Sequence, residues 1–350
     1  MNCFEQMLEM GHEQVALCSD RASGLRAIIA IHDTTLGPSL GGCRLMDYPS
    51  EEEALLDVLR LSRGMTYKAA VAGLDLGGGK AVIIGDPERK TEEVFRAFGR
   101  FVDSLGGRYL TAEDMNTSER EMAIIRQETR HVTGLSKKLG GSGDPGPVTA
   151  WGTYHGIRAA LERVYGSPDP RGRTVAIQGV GSVGSRLAHH LHEAGAKLIY
   201  NDIKPANIAR TLEDCGQGTI VDDKGLFAAD CDVLAPCAVG AVINPRTLDR
   251  IRAPIIAGAA NNQLEDDVRD AEALKARGIL YVPDYVVNAG GLINVYGEIH
   301  GWPPGKSMDR AAGIFDTVKH ILAVADEQGI TTVAASNHIA EERIAAAARH

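Results

Sequence analysis

The stretch TVAIQGVGSVGSRLAHHLHEAGAKLIYND, residues 174–202, constrains the fold more tightly than any other part of this 350-residue chain. A β-rich run ends in Gly179-x-Gly181-x-x-Gly184, a helical run follows, and a second strand-like run closes on Asp202. In such a unit Gly179 permits the tight turn, Gly181 lets the backbone approach a pyrophosphate, and Gly184 lets helix and strand pack closely. The helix N-terminus attracts the phosphate charge. Asp202 lies eighteen residues beyond Gly184, about where an acid meets the adenosine ribose. A carboxylate hydrogen-bonds a free 2′-hydroxyl and repels a 2′-phosphate, so Asp202 favours NAD, although nearby Lys204 weakens the preference slightly. The competing reading is a glycine turn in an ordinary βαβ unit, and the whole context favours the dinucleotide site.

Around this unit the second half of the chain alternates. Strand-like runs at 174–178, 197–201, 232–234, 254–257 and 279–282 are separated by several helical runs, which predicts a parallel, doubly wound sheet. The first third is less regular. Strands are expected at 14–18 and 25–32, and Ser50 with Glu53 forms a capping box for a helix that ends near Gly64. Another helix runs from Thr91 to the stop at Gly106–Gly107, and a strand covers Arg108–Ala112. GGSGDPGP at 140–147 suits a hinge at a domain boundary. The expected organisation is α/β in two domains. A mixed α/β substrate and oligomerisation domain spans 1–140. A Rossmann-type doubly wound NAD-binding domain spans 141–328. Helices at roughly 307–327 and 331–347 follow the sheet, and the C-terminal helix, about 329–350, returns to the first domain.

Composition excludes several classes. The net charge of −9 and unclustered basic residues argue against nucleic-acid binding. No apolar run reaches the roughly 18 to 20 residues of a membrane span. The N-terminal MNCFEQMLEMGHEQ has early glutamates and no apolar signal core, so no export is expected and the cytoplasm is the expected compartment. Six cysteines form no CxxC pair, and His189, His190 and His192 lack HExxH spacing, so no metal site is expected.

GLDLGGGKAVI, residues 73–83, looks at first like a phosphate loop. Leu74 stands where the first glycine of GxxxxGK[ST] belongs, and Ala81 replaces its magnesium-binding hydroxyl, so that reading fails twice. What remains is Lys80, placed by a glycine turn among Val71, Leu74, Leu76, Val82 and Ile83. Apolar surroundings lower a lysine pKa by desolvation, and Lys68 in GMTYKAAV is a second cation pushing the same way. Two snorkelling surface lysines are the competing reading. Asp114 in TAEDMN stands at a strand end, where it reads equally as a cap for the helical run TSEREMAII.

Taken together, IHDTTLGPSLGGCR, LSRGMTYKAA, LGGGKAVIIGDP, TAEDMN, GPVTAWGT, the GxGxxG unit, LAPCAVGAV, IIAGAANNQL and PDYVVNAGGLINV resemble the leucine dehydrogenase branch of the glutamate/leucine/phenylalanine/valine dehydrogenases. The likeness covers nearly the whole chain. It implies NAD-dependent oxidative deamination of an apolar L-amino acid to the 2-oxo acid, with release of ammonium, by a homo-oligomer that in this family is an octamer. It assigns Lys80 as general base and Asp114 as the group exchanging protons with the amino group. Lys68, helped by the Gly41–Gly42 backbone, binds the substrate carboxylate. Arg44 reaches the cofactor pyrophosphate and Thr149 touches the nicotinamide side. Asn261 or Asn262, with Asn288, orients cofactor and substrate. Val180, Ser182, Val183, Cys237, Ala238 and Ala259 complete the cofactor set around Gly179, Gly181, Gly184 and Asp202.

The implied side-chain pocket is lined by Leu40, Met65, Ala112, Leu292 and Val295. None is charged, which disfavours a glutamate substrate. Ala112 suits leucine, isoleucine and valine. Leu292 departs from the smaller valine typical of leucine dehydrogenases and Tyr296 from the usual alanine, which keeps phenylalanine or tryptophan as the alternative. Cys43 and Asn116 depart from threonine and glycine. A non-catalytic NAD-binding regulator is the alternative of another class.

Overall fold

The computed structural model describes residues 3–216 and 218–349. They form eleven strands: β1 Gln14–Asp20, β2 Leu25–Asp33, β3 Ser39–Met46, β4 Gly77–Ile84, β5 Tyr109–Glu113, β6 Thr174–Gln178, β7 Lys197–Asn201, β8 Thr219–Ile220, β9 Val233–Pro236, β10 Ile255–Ile256 and β11 Leu280–Tyr281. The chain divides into two compact units. The first comprises Met1–Asp144, Val295–Gly301 and Ala340–His350, the second Pro145–Asn294 and Trp302–Ile339. The change from one to the other at 144–145 falls inside the glycine-rich segment. The C-terminal part of the first unit begins only at Ala340, partway along the helix Thr332–Ala347, and Val295–Gly301 also joins that unit. The expected helix over 307–327 is broken at Gly313 into Lys306–Ala312 and Ile314–Gln328.

The first unit is built on a mixed sheet of order β1-β2-β4-β3-β5. β2 runs antiparallel to β1 and β4, whereas β3 is parallel to β4 and β5. One core, including Ile29, Ile31, Phe95, Phe98, Val102 and Tyr109, lies on one side; Ile28, Leu55, Val58, Leu59 and Val82 form another. The helix Glu51–Val71 starts as expected, with Ser50 Oγ accepting from the Glu53 amide at 3.1 Å. It does not end near Gly64. That glycine is exposed and costs about 1 kcal/mol relative to alanine. Burial of Thr66, Ala69, Ala70 and Val71 carries the helix seven residues further.

The three glycines before Lys80 are not a turn. Gly77, Gly78 and Gly79 open the central strand β4, whose eight residues are all buried. A side chain has no room there: an added Cβ would lie 1.9 Å from the Asp33 carbonyl oxygen at Gly77, 2.2 Å from the Thr66 amide nitrogen at Gly78, and 2.7 Å from the Tyr109 ring at Gly79. β3 has no counterpart among the strands expected from the sequence. It is a buried parallel strand, and a Cβ at Gly41 would lie 1.7 Å from the Gly79 carbonyl oxygen.

The second unit holds a six-stranded sheet of order β11-β10-β9-β6-β7-β8. Every pairing in it is parallel. Its five expected strands are present within a residue or two; the two-residue edge strand β8 is additional. Ala176, Leu234, Ile243, Ile256 and Leu274 are among its core residues.

The Gly78→Ala variant is expected to lose at least about 1–3 kcal/mol of stability, since its methyl meets backbone that cannot rotate away. A thermal or urea midpoint equal to that of the parent chain would contradict this.

Candidate functional site: a lysine–carboxylate cluster and a dinucleotide cradle

In the first unit the close contact between Thr66 and Gly78 sets the positions of both lysines, each two residues further along. Lys68 occupies the last turn of the helix Glu51–Val71 and is half-buried. Lys80 points from β4 and is 4% exposed, which removes the snorkelling reading for it. Its Nζ donates to Asp114 Oδ2. Asp114 lies just past β5, opposite Gly42, where an added Cβ would come within 2.7 Å of the Asp114 Cβ. It does not cap the following helix; Ser118 does, accepting from the Arg120 amide at 3.3 Å.

Arg44 belongs to this cluster. Its guanidinium donates from Nε to Asp114 Oδ1 at 2.8 Å and from Nη1 to Asp57 Oδ2 at 2.9 Å. Tyr48 Oη donates to the same Asp57 oxygen at 2.5 Å. Asp57 and Tyr48 went unnoticed in the sequence, since nothing in their spacing points at a glycine strand far along the chain. Burial alone would raise the Asp114 carboxyl, but Lys80 and Arg44 beside it hold it down to about 2. Desolvation, with the Asp114 charge beside it, pushes the buried Cys43 thiol up, so that side chain stays neutral.

Of the expected pocket residues, Leu40 on β3 pairs with Gly78 and Leu110, and Ala112 on β5 pairs with Gly42. Met65 is half-buried one turn before Lys68 on its helix. Leu292 and Val295 share one face of the helix Gly290–Ile299, three residues apart. Tyr296 lies on that face too and stacks on His300, with ring centroids 4.0 Å apart.

The second unit builds the glycine turn as a cradle. Gly179 has φ +82°, and an added Cβ would lie 2.6 Å from the Ala238 Cβ. At Gly184 it would lie 1.9 Å from the Gly179 carbonyl oxygen and 3.4 Å from the Cys237 Cβ. Gly181, in contrast, faces open space and begins the helix Ser182–Glu193, whose first turn has no side-chain cap. Uncapped amides of the first turn, including those of Ser182 and Val183, beside an open glycine suit a pyrophosphate. Asp202 is locked in place. Its oxygens accept from the Val180 amide at 2.9 Å, the Lys204 amide at 2.7 Å and Asn207 Nδ2 at 3.1 Å. With about four acceptor positions on a carboxylate, one stays open to a ribose hydroxyl, and the charge still repels a 2′-phosphate. Burial pushes the Cys237 thiol up to about 12, so this side chain too is neutral beside the cradle.

The carboxamide residues meet as well. Asn288 Nδ2 donates to Asn261 Oδ1 at 2.7 Å and to the Ala259 carbonyl at 3.1 Å. Thr149, in the first turn of the helix Gly146–Tyr165, has its Oγ1 3.3 Å from where a Gly291 Cβ would be. Asn262 contributes through a backbone held at φ +52°, its carbonyl accepting from the Ala241 amide at 2.7 Å.

A parallel sheet with a glycine-turn helix and an acid closing its second strand, in one chain with a buried lysine–carboxylate cluster, has the make-up of a nicotinamide-dependent dehydrogenase. The family model of the Glu/Leu/Phe/Val dehydrogenase dimerisation domain matches residues 10–131, and that of glutamate/leucine/phenylalanine/valine dehydrogenase matches 140–202 and 200–350. The chain belongs to the glutamate/leucine/phenylalanine/valine dehydrogenase family. It is 51% identical to leucine dehydrogenase of Geobacillus stearothermophilus over 345 residues, 98% of this chain and 94% of that one. It is 49% identical to L-tryptophan dehydrogenase of Nostoc punctiforme over 344 residues, 98% and 96% of the two chains. The crystal structure of an L-tryptophan dehydrogenase from Nostoc punctiforme superposes with a TM-score of 0.89 at 46% identity, covering 99% of both chains. The chain is therefore an NAD-dependent amino-acid dehydrogenase and not a non-catalytic regulator. With a dimerisation domain it is a homo-oligomer. Among the described residues no helix is long and apolar enough to cross a membrane.

Asp114 is 20% exposed on its side chain, so its lowered pKa bears on stability. Ionised Asp114 stabilises the fold above the ordinary carboxylate pKa near 3.9, and this is lost as pH falls toward about 2. The Asp114→Asn variant is expected to be about 2 kcal/mol less stable than the parent at pH 7, with the gap closing below about pH 4. Urea titrations showing the same gap at pH 7 and pH 3 would contradict this.

Proposed function

We propose that the chain catalyses NAD-dependent oxidative deamination of an apolar branched-chain L-amino acid, leucine ahead of isoleucine and valine, releasing the 2-oxo acid and ammonium. The observation that carries this reading is the buried Lys80–Asp114 contact in a chain that also builds the dinucleotide cradle. When bound, NAD accepts the α-hydrogen with its electron pair. Water must then add to the resulting iminium carbon of the substrate. Lys80, confined in a strand from which bulk solvent is excluded, gives its ammonium proton to Asp114 and, as the free amine, is the base that takes a proton from that water. Asp114, ionised until it receives that proton from Lys80, hands it on to the amino group, which then leaves as ammonia. Lys68, with the Gly41–Gly42 backbone, holds the substrate carboxylate. Ser182, Val183 and the glycines hold the pyrophosphate, Asp202 the ribose, and Thr149, Asn261 and Asn288 the nicotinamide side.

Leu40, Met65, Ala112, Leu292 and Val295 are all apolar, and a side-chain carboxylate would find no partner among them. A second reading, an aromatic amino acid such as phenylalanine or tryptophan, has its own support in Tyr296, which shares the helix face of Leu292 and Val295 and stacks on His300. The cytoplasm is the proposed compartment, in keeping with six cysteines that are all free thiols. An octamer is the proposed assembly, and light scattering giving a smaller particle would remove it.

Initial rates with leucine, valine, phenylalanine and tryptophan, each with NAD and NADP, test the reading. NADH formation fastest with leucine is expected; faster turnover of an aromatic substrate selects the second reading, and NADP preference removes the role of Asp202. In the same assay Lys80→Ala is expected to lose about two to four orders of magnitude in kcat while NAD binding persists. Near-parental turnover in that variant would sink the assignment of Lys80.

A further inference from the structure

We propose that Asp57 and Tyr48 are positioning residues for Asp114, acting through Arg44. This rests on the reading of Asp114 as the proton-exchanging carboxylate. The geometry is a relay across three segments. Tyr48 follows β3, Asp57 projects from the helix Glu51–Val71, Arg44 lies on β3 and Asp114 lies past β5. Arg44 presents separate nitrogens to the two carboxylates, Nε to Asp114 at 2.8 Å and Nη1 to Asp57 at 2.9 Å. A long guanidinium side chain anchored at one edge keeps most of its rotamer freedom; anchored at both, its plane is fixed. Tyr48 completes the anchor by donating to the Asp57 oxygen that Arg44 also uses. Asp114 Oδ1 is thus held by Arg44 while Oδ2 stays with Lys80. The other titratable groups facing Asp114 are Cys43 on β3 and Tyr109 on β5, and burial keeps both neutral.

Two effects of removing the Asp57 charge have opposite signs. Taking away an anion makes the Asp114 carboxyl easier to ionise. Releasing Arg44 from its anchor takes a cation off Asp114 and makes ionisation harder. The positioning role predicts that the second effect wins.

The test uses the full-length enzyme. Asp57→Asn is expected to lower kcat about tenfold, the scale of a small misplacement at a reacting group, with the amino-acid KM within about twofold. In an Arg44→Gln background the same substitution is expected to cost less than about twofold, because its intermediary is already gone. Tyr48→Phe keeps the ring and loses only the hydroxyl, so it supplies a folded variant if Asp57→Asn does not fold; it is expected to lower kcat in the same direction. The pH dependence of carbodiimide labelling at Asp114, read by mass spectrometry, gives a measure that needs no turnover. Its midpoint is expected to lie higher in Asp57→Asn than in the parent enzyme. Equal losses of kcat in both backgrounds, or a midpoint that falls or stays put, overturn the proposal. A parent enzyme that forms no NADH with any amino acid overturns the proposed function instead, and the labelling midpoint then decides the role of Asp57 alone.

Discussion

The close approach of backbone to backbone at the glycines of β3 and β4 is the constraint on which the first unit depends. Gly41 against the Gly79 carbonyl, Gly42 against Asp114 and Gly78 against Thr66 all stand at distances where no side chain fits. This crowding brings the helix that carries Lys68 and Asp57 down onto the strand that carries Lys80. It also leaves the space beside Gly42 for the Asp114 side chain. The glycines serve the chemistry indirectly, by letting three charged segments converge without an intervening layer of side chains.

Once converged, the charges balance. Lys80 and Arg44 face Asp114 and Asp57, two cations against two carboxylates. Buried groups of this kind survive only when paired, because an isolated charge in such a place would neutralise itself. Pairing is also what keeps Asp114 ionised despite its burial. The second unit solves a different problem by similar means. Gly179 and Gly184 are there for packing, and Gly181 alone leaves a face open, so one motif supplies both a tight turn and a binding surface.

The legible part of the molecule was the part governed by local rules. The alternation after residue 174, the glycine fingerprint, the Ser50 cap, the helix start at Thr91 and the change of unit within the glycine-rich segment 140–147 all follow from short-range spacing. Two features were misread, and each has a long-range cause. The helix past Gly64 is carried by burial of Thr66 to Val71 against a sheet whose partners are distant in sequence. The glycine run before Lys80 looks like a turn by composition, yet it is strand, because flanking strands and a covering helix leave room for nothing larger. The pairing of Arg44 was not legible at all, since its two carboxylate partners come from a helix thirteen residues on and a strand end seventy residues on.

By itself the sequence determined the strand–helix alternation of the second half, the dinucleotide cradle and the residue types available for catalysis, since periodicity, turn chemistry and charge are properties of neighbouring residues. Only the tertiary structure decided which charges meet. Lys80 is paired with Asp114, not merely surrounded by apolar side chains, and Arg44 is held between two carboxylates. The physical reason is that an ion pair is fixed by distance in space, and in this sheet order β3, β4 and β5 come together from segments that the chain keeps far apart.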